Sequence, residues 1–415
     1  MAYGQAGQTI QTLPAMKHVD ILIIGGGDAG LSVASRLRAR KPELSLAIIE
    51  PSQQHYYQPA WTLVGGGVFN MADTIRPEAD YIPPGAEWIC DRATEIDAEH
   101  NMVHTAGHGS IGYQWLVAAP GIQLDWHKIE GLKETLGSHG VTSNYHPDYA
   151  PYTWQLLQGL KAGKAIFTSP GTPVKCGGAP QKIMYLAGDY FRKNGLKGKV
   201  HVEFCSAGSV IFGIKKYADT LMKAVRRYDI ALNFKHELIR VDGPAHKAWF
   251  RLSNADGTTQ EVEKQFDMLH VVPPQSAPDF IKNSPLAMPG SPLGWIDVDK
   301  HTLQHVRFPR VFALGDATNT PNAKTGAAVR KQAPVLVENL ISAMEGKPLS
   351  ASYDGYGSCP LITGYGKLVL AEFNYENEPT ETFPFDQSKE RWSMYQLKKR
   401  VLPWLYWHRI LQGKM

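Results

Sequence analysis

The chain contains two kinds of hydrophobic pattern, short continuous apolar runs and amphipathic segments of helical length. Residues 19–24 and 44–49 are apolar, largely β-branched runs that predict strands buried on both faces. Residues 31–41, between them, have helical spacing with apolar side chains on one face. A strand, a helix and a second buried strand in this order form a βαβ unit. The pattern therefore predicts an α/β fold built on a parallel sheet.

The loop that joins the first strand to the helix carries a glycine signature. It has a G-x-G-x-x-G spacing from Gly25 through Gly27 to Gly30, and the second strand ends at Glu50. In a dinucleotide site the first glycine makes the turn, the second lets the backbone approach the pyrophosphate, and the third lets the helix pack on the strand. Free N–H groups at the helix N-terminus favour the anionic pyrophosphate, and an acid at the position of Glu50 accepts from a ribose hydroxyl. The complete unit predicts a dinucleotide site.

Two later segments favour FAD over NAD at this site. Residues 115–121 (WLVAAPG) and 311–316 (VFALGD) are apolar strands that end in small-residue turns. They resemble two strands of flavoproteins with two dinucleotide folds, and the Asp of the second holds the ribityl chain, so Asp316 is the first candidate flavin ligand. A helix is predicted after Lys324 and Thr325, with its N-terminus facing the flavin pyrimidine, where the helix dipole stabilises negative charge. We expect one FAD, bound non-covalently.

A second βαβ unit lacks the glycine signature that a nicotinamide nucleotide requires. The strand at residues 165–168 is followed by SPGTPVKCGGAP, a proline-rich loop that carries Cys176. A helix is predicted over residues 181–193, with Pro180 at its first position. A helix N-terminus and a neighbouring Lys175 both lower the pKa of a thiol. The loop therefore predicts a reactive thiolate where a nucleotide phosphate would otherwise bind.

The remaining cysteines and the composition exclude several classes of protein. Four cysteines (Cys90, Cys176, Cys205 and Cys359) in 415 residues are too few for a disulfide scaffold, and no C-x-x-C is present. Spacing alone leaves open which cysteines pair. Cys90 and Cys205, at strand ends, are predicted to be small buried side chains. The net charge of +4 gives no reason to expect a nucleic-acid partner, and no metal site is predicted.

The two ends of the chain differ in character. Residues 1–16 have no Lys, no Arg and no apolar stretch, so they predict a disordered lead, with ordered structure beginning near Lys17. Residues 386–415 mix basic, aromatic and apolar side chains, and Pro403 is expected to split them into two short helices. This composition predicts an anchor at a membrane surface and not a span. A helix packed on the body of the protein and a dimer contact are the alternatives. The basic and aromatic residues of this predicted anchor are Lys389, Arg391, Trp392, Tyr395, Lys398, Lys399, Arg400, Trp404, Tyr406, Trp407, Arg409 and Lys414.

Several long segments of unusual sequence carry a family resemblance. They include HYYQPAWTLVGGG, TPVKCGGAPQKIMYL, YDGYGSCPLITGYGK and ETFPFDQSKERWSMY. They resemble the mitochondrial type of sulfide:quinone oxidoreductase and its bacterial relatives, from about His18 to the C-terminus. The resemblance implies two Rossmann-like dinucleotide-binding domains plus a C-terminal membrane-associated helical region. We expect an FAD-binding domain at 17–135 and 295–345, a second Rossmann-like domain without an NAD motif at 150–290, and a quinone- and membrane-binding region at 350–415.

The resemblance also implies which residues form the site. By motif, Cys176 and Cys359 fall on the two redox cysteines of the family. Ala93 resembles the residue whose backbone meets the adenine. The glycine loop, the turn before the predicted helix and the resemblance together give the candidate FAD contacts. They are Gly25, Gly27, Asp28, Ala29, Gly30, Glu50, Gln58, Ala93, Asp316, Lys324 and Thr325.

The implied activity is oxidation of hydrogen sulfide with reduction of a membrane quinone. Cys176 and Cys359 rest as a disulfide or with an extra bridging sulfur. Hydrosulfide opens the bridge, Cys359 carries the persulfide, and Cys176 faces the flavin as a thiolate. The sulfur acceptor (glutathione, sulfite, cyanide or a second sulfide), the choice of ubiquinone or menaquinone, and a possible homo-oligomer stay open. Peripheral attachment to the cytoplasmic face of a bacterial inner membrane is expected, because no signal peptide is recognised.

Three other interpretations share part of this pattern. A type II NADH:quinone dehydrogenase has the same fold but needs the second glycine motif and no cysteine pair. A flavocytochrome sulfide dehydrogenase attaches its flavin through a cysteine near the strands of the first domain and passes electrons to a haem partner. No cysteine precedes Cys90 in this sequence. A non-catalytic flavoprotein could sense redox state through Cys176 and Cys359. Such a protein would not need the predicted membrane anchor at residues 386–415. Sulfide-dependent quinone reduction separates the last interpretation from the enzyme.

Overall fold

The computed structural model describes residues 17–415, so the prediction for residues 1–16 lies outside the described part of the chain. The strands are β1 Lys17–Ile24, β2 Leu46–Ile49, β3 Gln54–Tyr56, β4 Ile75–Pro77, β5 Ala86–Ile89, β6 Ala93–Asp97, β7 Met102–Thr105, β8 Ser110–Ala118, β9 Gln123–Leu124, β10 Val141–Thr142, β11 Gly163–Ser169, β12 Val200–Ser206, β13 Ala231–Phe234, β14 His236–Asp242, β15 Lys247–Ser253, β16 Thr259–Gln265, β17 Met268–His270, β18 Gln275–Ser276, β19 Val311–Ala313, β20 Gly357–Gly364 and β21 Lys367–Phe373. The α-helices are α1 Asp28–Arg40, α2 Trp61–Gly65, α3 Leu132–Thr135, α4 Ala150–Gly159, α5 Ala179–Lys193, α6 Lys215–Tyr228, α7 Asp279–Lys282, α8 Gly326–Met344, α9 Trp392–Gln396 and α10 Leu402–Leu405.

The first sheet has seven strands in the order β5-β2-β1-β8-β7-β6, with β19 paired to β8. β1 lies between β2 and β8 and is parallel to both, and β19 returns from far along the chain to pair in parallel with β8. Successive side chains of a strand point to opposite faces. Ile21 and Ile23 pack in one apolar cluster, whereas Leu22 and Ile24 pack in another. The sheet is therefore buried on both faces, as the continuous apolar runs predict.

The second sheet has five parallel strands in the order β10-β17-β11-β12-β13. β11 is buried on both faces, since Phe167 and Ile166 belong to different apolar clusters. A three-stranded antiparallel sheet, β14-β15-β16, follows in the chain. The first sheet is parallel from β5 to β8 and β19, with β7 and β6 added antiparallel. Together with the parallel second sheet, it confirms the predicted α/β fold with two Rossmann-like units. The exact bounds of the domains stay a prediction.

The C-terminal region begins with the antiparallel hairpin β20–β21 and ends in one helical segment. That segment, which we call the C-terminal helical segment, runs without a break through α9, a π turn at Leu397–Val401, α10 and a second π turn at Tyr406–Ile410. The predicted division at Pro403 is therefore wrong. Pro403 is the second residue of α10, and the wider π turn before it makes room for a ring that would crowd a regular α turn.

The two cysteines outside the predicted redox pair differ in burial. Cys205 lies fully buried in β12, and burial raises the pKa of its thiol to about 12, as expected for a core residue. The prediction that Cys90 is buried is wrong, because β5 ends at Ile89 and Cys90 follows it at the exposed end of the strand. Within residues 17–415, no helix is long and apolar enough to span a membrane.

Candidate active site

The glycine loop between β1 and α1 has the geometry that a bound pyrophosphate requires. Gly25 has φ +100°, and a Cβ on Gly30 would lie 1.8 Å from the Gly25 carbonyl oxygen, so α1 packs on the end of β1 only if residue 30 is glycine. A Cβ on Gly27 would meet no atom within 4 Å, which leaves the backbone open on that side. Glu50 Oε2 accepts the Gly26 N–H at 2.8 Å and fixes the loop to the end of β2.

Two other chain segments converge on the start of α1. Gly315, in the turn after β19, lies against it, because a Cβ there would be 3.3 Å from the Ala29 Cβ. Gly326, the first residue of α8, lies against Asp28, because a Cβ there would be 2.8 Å from Asp28 Oδ2. The N-terminal ends of α1 and α8 therefore meet beside the turn that carries Asp316. This is the arrangement that the predicted flavin contacts require.

The Asp28 carboxyl group is the clearest sign that this junction holds a ligand. Asp28 Oδ1 is buried and has no hydrogen-bond partner in the described part of the chain. Burial, assisted by the charge of Asp316 and opposed by that of His55, raises the pKa of Asp28 to about 7. An unpaired buried oxygen is costly, and a ligand hydroxyl such as one of FAD would satisfy it. The residues present therefore fit the expected cofactor.

The turn between β19 and α8 carries opposite charges in a buried setting. Burial raises the pKa of Asp316, and the nearby cations Lys324 and Lys175 oppose this shift. The Lys324 ammonium donates to the Thr318 carbonyl at 2.9 Å, and burial lowers its pKa to about 8. Thr325 caps α8, since its Oγ1 accepts the N–H of a residue in the first turn of that helix. Asp316, Lys324 and Thr325 thus lie together, next to the glycine loop.

The last two predicted FAD contacts lie at the edges of this arrangement. Gln58 begins a short 3₁₀ turn, and its Oε1 accepts from the Lys175 ammonium at 2.5 Å. Ala93 is buried at the start of β6, on the edge strand of the first sheet and opposite Thr105. Gln58 is therefore connected to the cysteine loop, whereas Ala93 belongs to the sheet itself.

Cys176 and Cys359 meet beside the start of α5. Cys176 lies in the loop between β11 and α5, Cys359 lies on β20, and β20 packs against α5. The two side chains are hydrogen-bond partners, and each shifts the pKa of the other. A Cβ on Gly178 would lie 2.3 Å from a methyl of Leu361, so glycine at this position permits the loop to approach β20.

The backbone of Cys176 is held in an uncommon conformation. Its φ is +54°, in the left-handed region that non-glycine residues seldom adopt. The Cys176 N–H donates to the Lys324 carbonyl at 2.7 Å, and the Cys176 carbonyl accepts the Ala179 N–H at 2.7 Å. These bonds tie the thiol both to α5 and to the turn before α8. The sulfur is thereby placed next to the proposed flavin contacts.

Two buried lysines set the charge of the cysteine pair. The Lys182 ammonium donates to Cys176 Sγ at 2.9 Å, and Lys398, from the C-terminal helical segment, adds a second positive charge. The hydrogen bond from Cys359 and these cations hold the pKa of Cys176 well below its usual range, although burial opposes the shift. The same contact and burial raise the pKa of Cys359 well above its usual range. The two opposite shifts favour the thiolate form of Cys176 and the thiol form of Cys359.

Sequence reasoning missed both lysines. It assigned thiolate stabilisation to Lys175, but that ammonium donates to Gln58. Lys182 lies six residues after Cys176 in the first turn of α5, so helical spacing from the predicted Pro180 start could have indicated it. Lys398 was counted with the anchor residues. Only 4% of it is exposed, and burial with the charge of Lys182 lowers its pKa to about 7.

The C-terminal helical segment has one buried and one exposed face. Tyr395, Tyr406 and Trp407, which were expected to contact a membrane, instead pack in the apolar clusters of the protein. The exposed face carries basic and aromatic residues: Trp392, Arg400, Trp404, His408 and Arg409. Packing on the body and exposure of an aromatic, basic surface therefore coexist in one segment.

Comparisons with known proteins agree with this fold. Residues 19–150 match the model of the pyridine nucleotide-disulphide oxidoreductase family. The mitochondrial sulfide:quinone oxidoreductase of Mus musculus is 46% identical over 96% of this chain and 88% of that protein. The mitochondrial sulfide:quinone oxidoreductase of Dictyostelium discoideum is 48% identical over 95% and 86%. The crystal structure of the sulfide:quinone oxidoreductase from Aquifex aeolicus superposes with a TM-score of 0.79 at 21% identity, covering 96% of this chain and 92% of that one.

Fold and site together define a flavin-dependent disulphide oxidoreductase, whose cofactor is FAD. The similarity to the mouse and Dictyostelium enzymes extends over nearly the whole chain at more than 45% identity. The chain belongs to the sulfide:quinone oxidoreductase family.

Proposed function

We propose that this protein oxidises hydrogen sulfide to sulfane sulfur and reduces a membrane quinone, using Cys176, Cys359 and one non-covalent FAD. The observation that carries the proposal is the meeting of Cys176 and Cys359 beside the start of α5, with the Lys182 ammonium 2.9 Å from Cys176 Sγ. Membership of the sulfide:quinone oxidoreductase family supports the substrate assignment. A redox sensor can also hold a thiolate beside a second cysteine, so family membership, and not the charge of the pair, favours the enzyme over a sensor.

The sulfur chemistry follows from the different charges of the two cysteines. Hydrosulfide attacks the oxidised pair at the Cys359 sulfur, so the sulfur–sulfur bond breaks and Cys176 leaves as a thiolate stabilised by Lys182. The persulfide on Cys359 then loses its outer sulfur to a nucleophile. Glutathione, sulfite, cyanide and a second sulfide are all able to accept it. Re-formation of the bond between the two cysteine sulfurs releases two electrons.

FAD, when bound, takes up this electron pair and delivers it to quinone. The residues that would hold it are the glycine loop Gly25–Gly30, the acid Glu50, and the cluster of Asp316, Lys324 and Thr325. Asp28 would use its unpaired Oδ1, and Ala29 lines the start of α1. Gln58 and Ala93 complete the proposed set. The α8 N-terminus and the Lys324 cation would favour negative charge on the reduced ring.

The exposed face of the C-terminal helical segment supports peripheral attachment to a membrane. Quinone is apolar and dissolves in the bilayer, so the protein must reach the membrane surface to reduce it. Trp392 and Trp404 are 67% and 54% exposed, and Arg400 lies on the same side of the segment. Tryptophan and arginine side chains suit the interface between headgroups and acyl chains. Attachment at the cytoplasmic face and the possible oligomer stay predictions.

An anaerobic titration of the flavin spectrum tests the redox proposal. We expect sulfide to bleach the oxidised flavin absorbance and a short-chain quinone to restore it. The Cys90→Ser variant should behave like the parent protein, because that thiol is exposed and outside the pair. A flavin that stays oxidised in excess sulfide would contradict the proposal.

Binding to vesicles tests the attachment. We expect the double variant Trp392→Ser/Trp404→Ser to sediment less with vesicles that contain anionic lipid than the parent protein does. A matched control is Val210→Ser, which alters another strongly exposed apolar residue outside the segment. Equal sedimentation of parent and double variant would reject this face as the anchor.

A further inference from the structure

A buried polar chain connects the C-terminal helical segment to the glycine loop. Tyr406 Oη lies 2.6 Å from His55 Nε2, and His55 Nδ1 lies 2.9 Å from Glu78 Oε2. All three side chains are at least nine-tenths buried. Glu78 in turn lies against the loop, since a Cβ on Gly26 would be 2.5 Å from Glu78 Oε1. The redox chemistry of the cysteine pair uses none of these groups.

The chain has a defined direction of hydrogen bonding. When His55 is neutral, its Nδ1–H donates to the Glu78 carboxylate, and its Nε2 accepts from the Tyr406 hydroxyl. A Tyr406 hydroxyl that donates to Nε2 thereby favours the His55 tautomer whose Nδ1–H can hold the Glu78 carboxylate. Glu78 and Glu50 both pack on Gly26, because a Cβ there would also lie 2.7 Å from the Cγ of Glu50. The position of the loop thus depends on two acids, one of which is held by the C-terminal helical segment.

The same segment is also fixed to α1. Ser32 Oγ donates to the Ile410 carbonyl at 3.1 Å, and Ser35 Oγ donates to the Leu411 carbonyl at 2.7 Å. Carbonyls at the end of a helix lack hydrogen-bond donors within the helix, and the two serine hydroxyls provide these donors. Tyr57 packs against Tyr406 with ring centroids 4.7 Å apart. The end of the segment is therefore docked on the helix whose N-terminus faces the proposed pyrophosphate site.

We propose that Tyr406 is a positioning residue for FAD. Its hydroxyl acts on the glycine loop through His55 and Glu78. The segment that presents its outer face for membrane attachment thereby also secures the cofactor with its inner face. The inference rests on the proposed FAD contacts of the glycine loop. It does not depend on the identity of the sulfur substrate, because its test measures cofactor binding.

Tyr406→Phe tests the proposal because it keeps the ring and removes only the hydroxyl. Tyr395→Phe is the matched control: Tyr395 lies in the same segment, is equally buried at 6% exposure, and packs in a different apolar cluster from Tyr406. The measurement is the FAD dissociation constant of the full-length protein, from the fluorescence of FAD released on dilution. We expect Tyr406→Phe to raise it about tenfold and Tyr395→Phe to leave it within twofold, with equal urea midpoints for the two apoproteins.

A double-mutant cycle tests the route. Glu78→Gln should weaken FAD binding, and adding Tyr406→Phe to it should weaken binding less than it does in the parent protein, since both changes act on one chain of bonds. Independent effects would show that the hydroxyl does not act through Glu78. Unchanged FAD binding in Tyr406→Phe, or equal loss in Tyr395→Phe, would overturn the proposal. A parent protein that binds no FAD would contradict the proposed function itself.

Discussion

The two loops that follow β1 and β11 occupy the same place in a Rossmann-like unit, but their backbones differ in how far they are open to a ligand. In the first loop the backbone at Gly27 is open, and the neighbouring Gly26 N–H is bonded to Glu50. In the second loop the N–H of Cys176 is already bonded to the Lys324 carbonyl, and that of Lys175 to the Gln275 side chain. Pro180 has no N–H at all.

A loop can therefore lose nucleotide binding when its backbone N–H groups form hydrogen bonds within the protein and are no longer available to a phosphate. The donors of the second loop hold a thiol in place, and the positive charge that would meet a phosphate is supplied by Lys182 and directed at sulfur. The position at the end of a parallel strand and the start of a helix is kept, because it is where the electrostatic field favours an anion. Only the anion has changed, from pyrophosphate to thiolate.

The largest expected effect comes from removing the sulfur that distinguishes the second loop. Cys176→Ser or Cys359→Ser should lower sulfide-driven quinone reduction by at least about 1,000-fold, since no thiolate can then leave or carry sulfur. The bound FAD should remain, because the first loop is unchanged. The measurement is quinone reduction with sulfide, alongside the flavin absorbance of the purified protein. Retained turnover in both variants would reject the mechanism, and Cys90→Ser is the control.

Next in size is a change in the first loop. Gly30→Ala places a methyl group where the Gly25 carbonyl oxygen lies 1.8 Å away, so the loop must move. Overpacking of this kind costs about 1–3 kcal/mol, which corresponds to roughly 5- to 150-fold weaker FAD binding. Gly159→Ala is the control, because a Cβ there meets no atom within 4 Å. FAD binding as tight as in the control would show that the loop tolerates a side chain.

Much of the first loop could be predicted from sequence, whereas the environment of the second could not. The spacing Gly25–Gly30 and the acid Glu50 lie within one βαβ unit, so local pattern and geometry coincide. The charge on Cys176 depends on Lys398 and Cys359, which come from the C-terminal region and are brought together only by packing. Cys359 was paired with Cys176 through family resemblance, and Lys398 was placed on the wrong face because a basic, aromatic stretch is typical of a surface anchor. Burial of a lysine beside a thiolate has no local sequence signal.

A smaller effect is expected from the cation that faces the thiolate. A depressed thiol pKa means that thiolate is present above that pKa and is lost as the pH falls through it. Lys182→Met removes a positive charge at 2.9 Å, so the pKa of Cys176 should rise by about one to three units. The loss of thiolate then occurs at higher pH. The rate of alkylation by iodoacetamide, measured against pH on the reduced protein in a Cys90→Ser background, reports the shift.

The control for that experiment is Lys215→Met, which removes an exposed lysine paired with Asp219 four residues away. Its alkylation profile should match the parent, because a solvent-exposed ion pair contributes little. An unchanged profile in Lys182→Met would mean that Cys359 and Lys398 alone set the charge of Cys176.

NADH is expected to have no effect on the flavin, and this prediction tests the comparison of the two loops most directly. NADH should leave the bound flavin oxidised under anaerobic conditions in which sulfide bleaches it. A pyrophosphate needs several free backbone N–H groups at the second loop, but those of Lys175, Cys176 and Ala179 are bonded within the protein. The measurement is the oxidised flavin absorbance over minutes after NADH is added, with sulfide added afterwards to show that the flavin is reducible. Rapid bleaching by NADH would mean that the second loop can still release its donors, and the type II NADH:quinone dehydrogenase interpretation would regain its support.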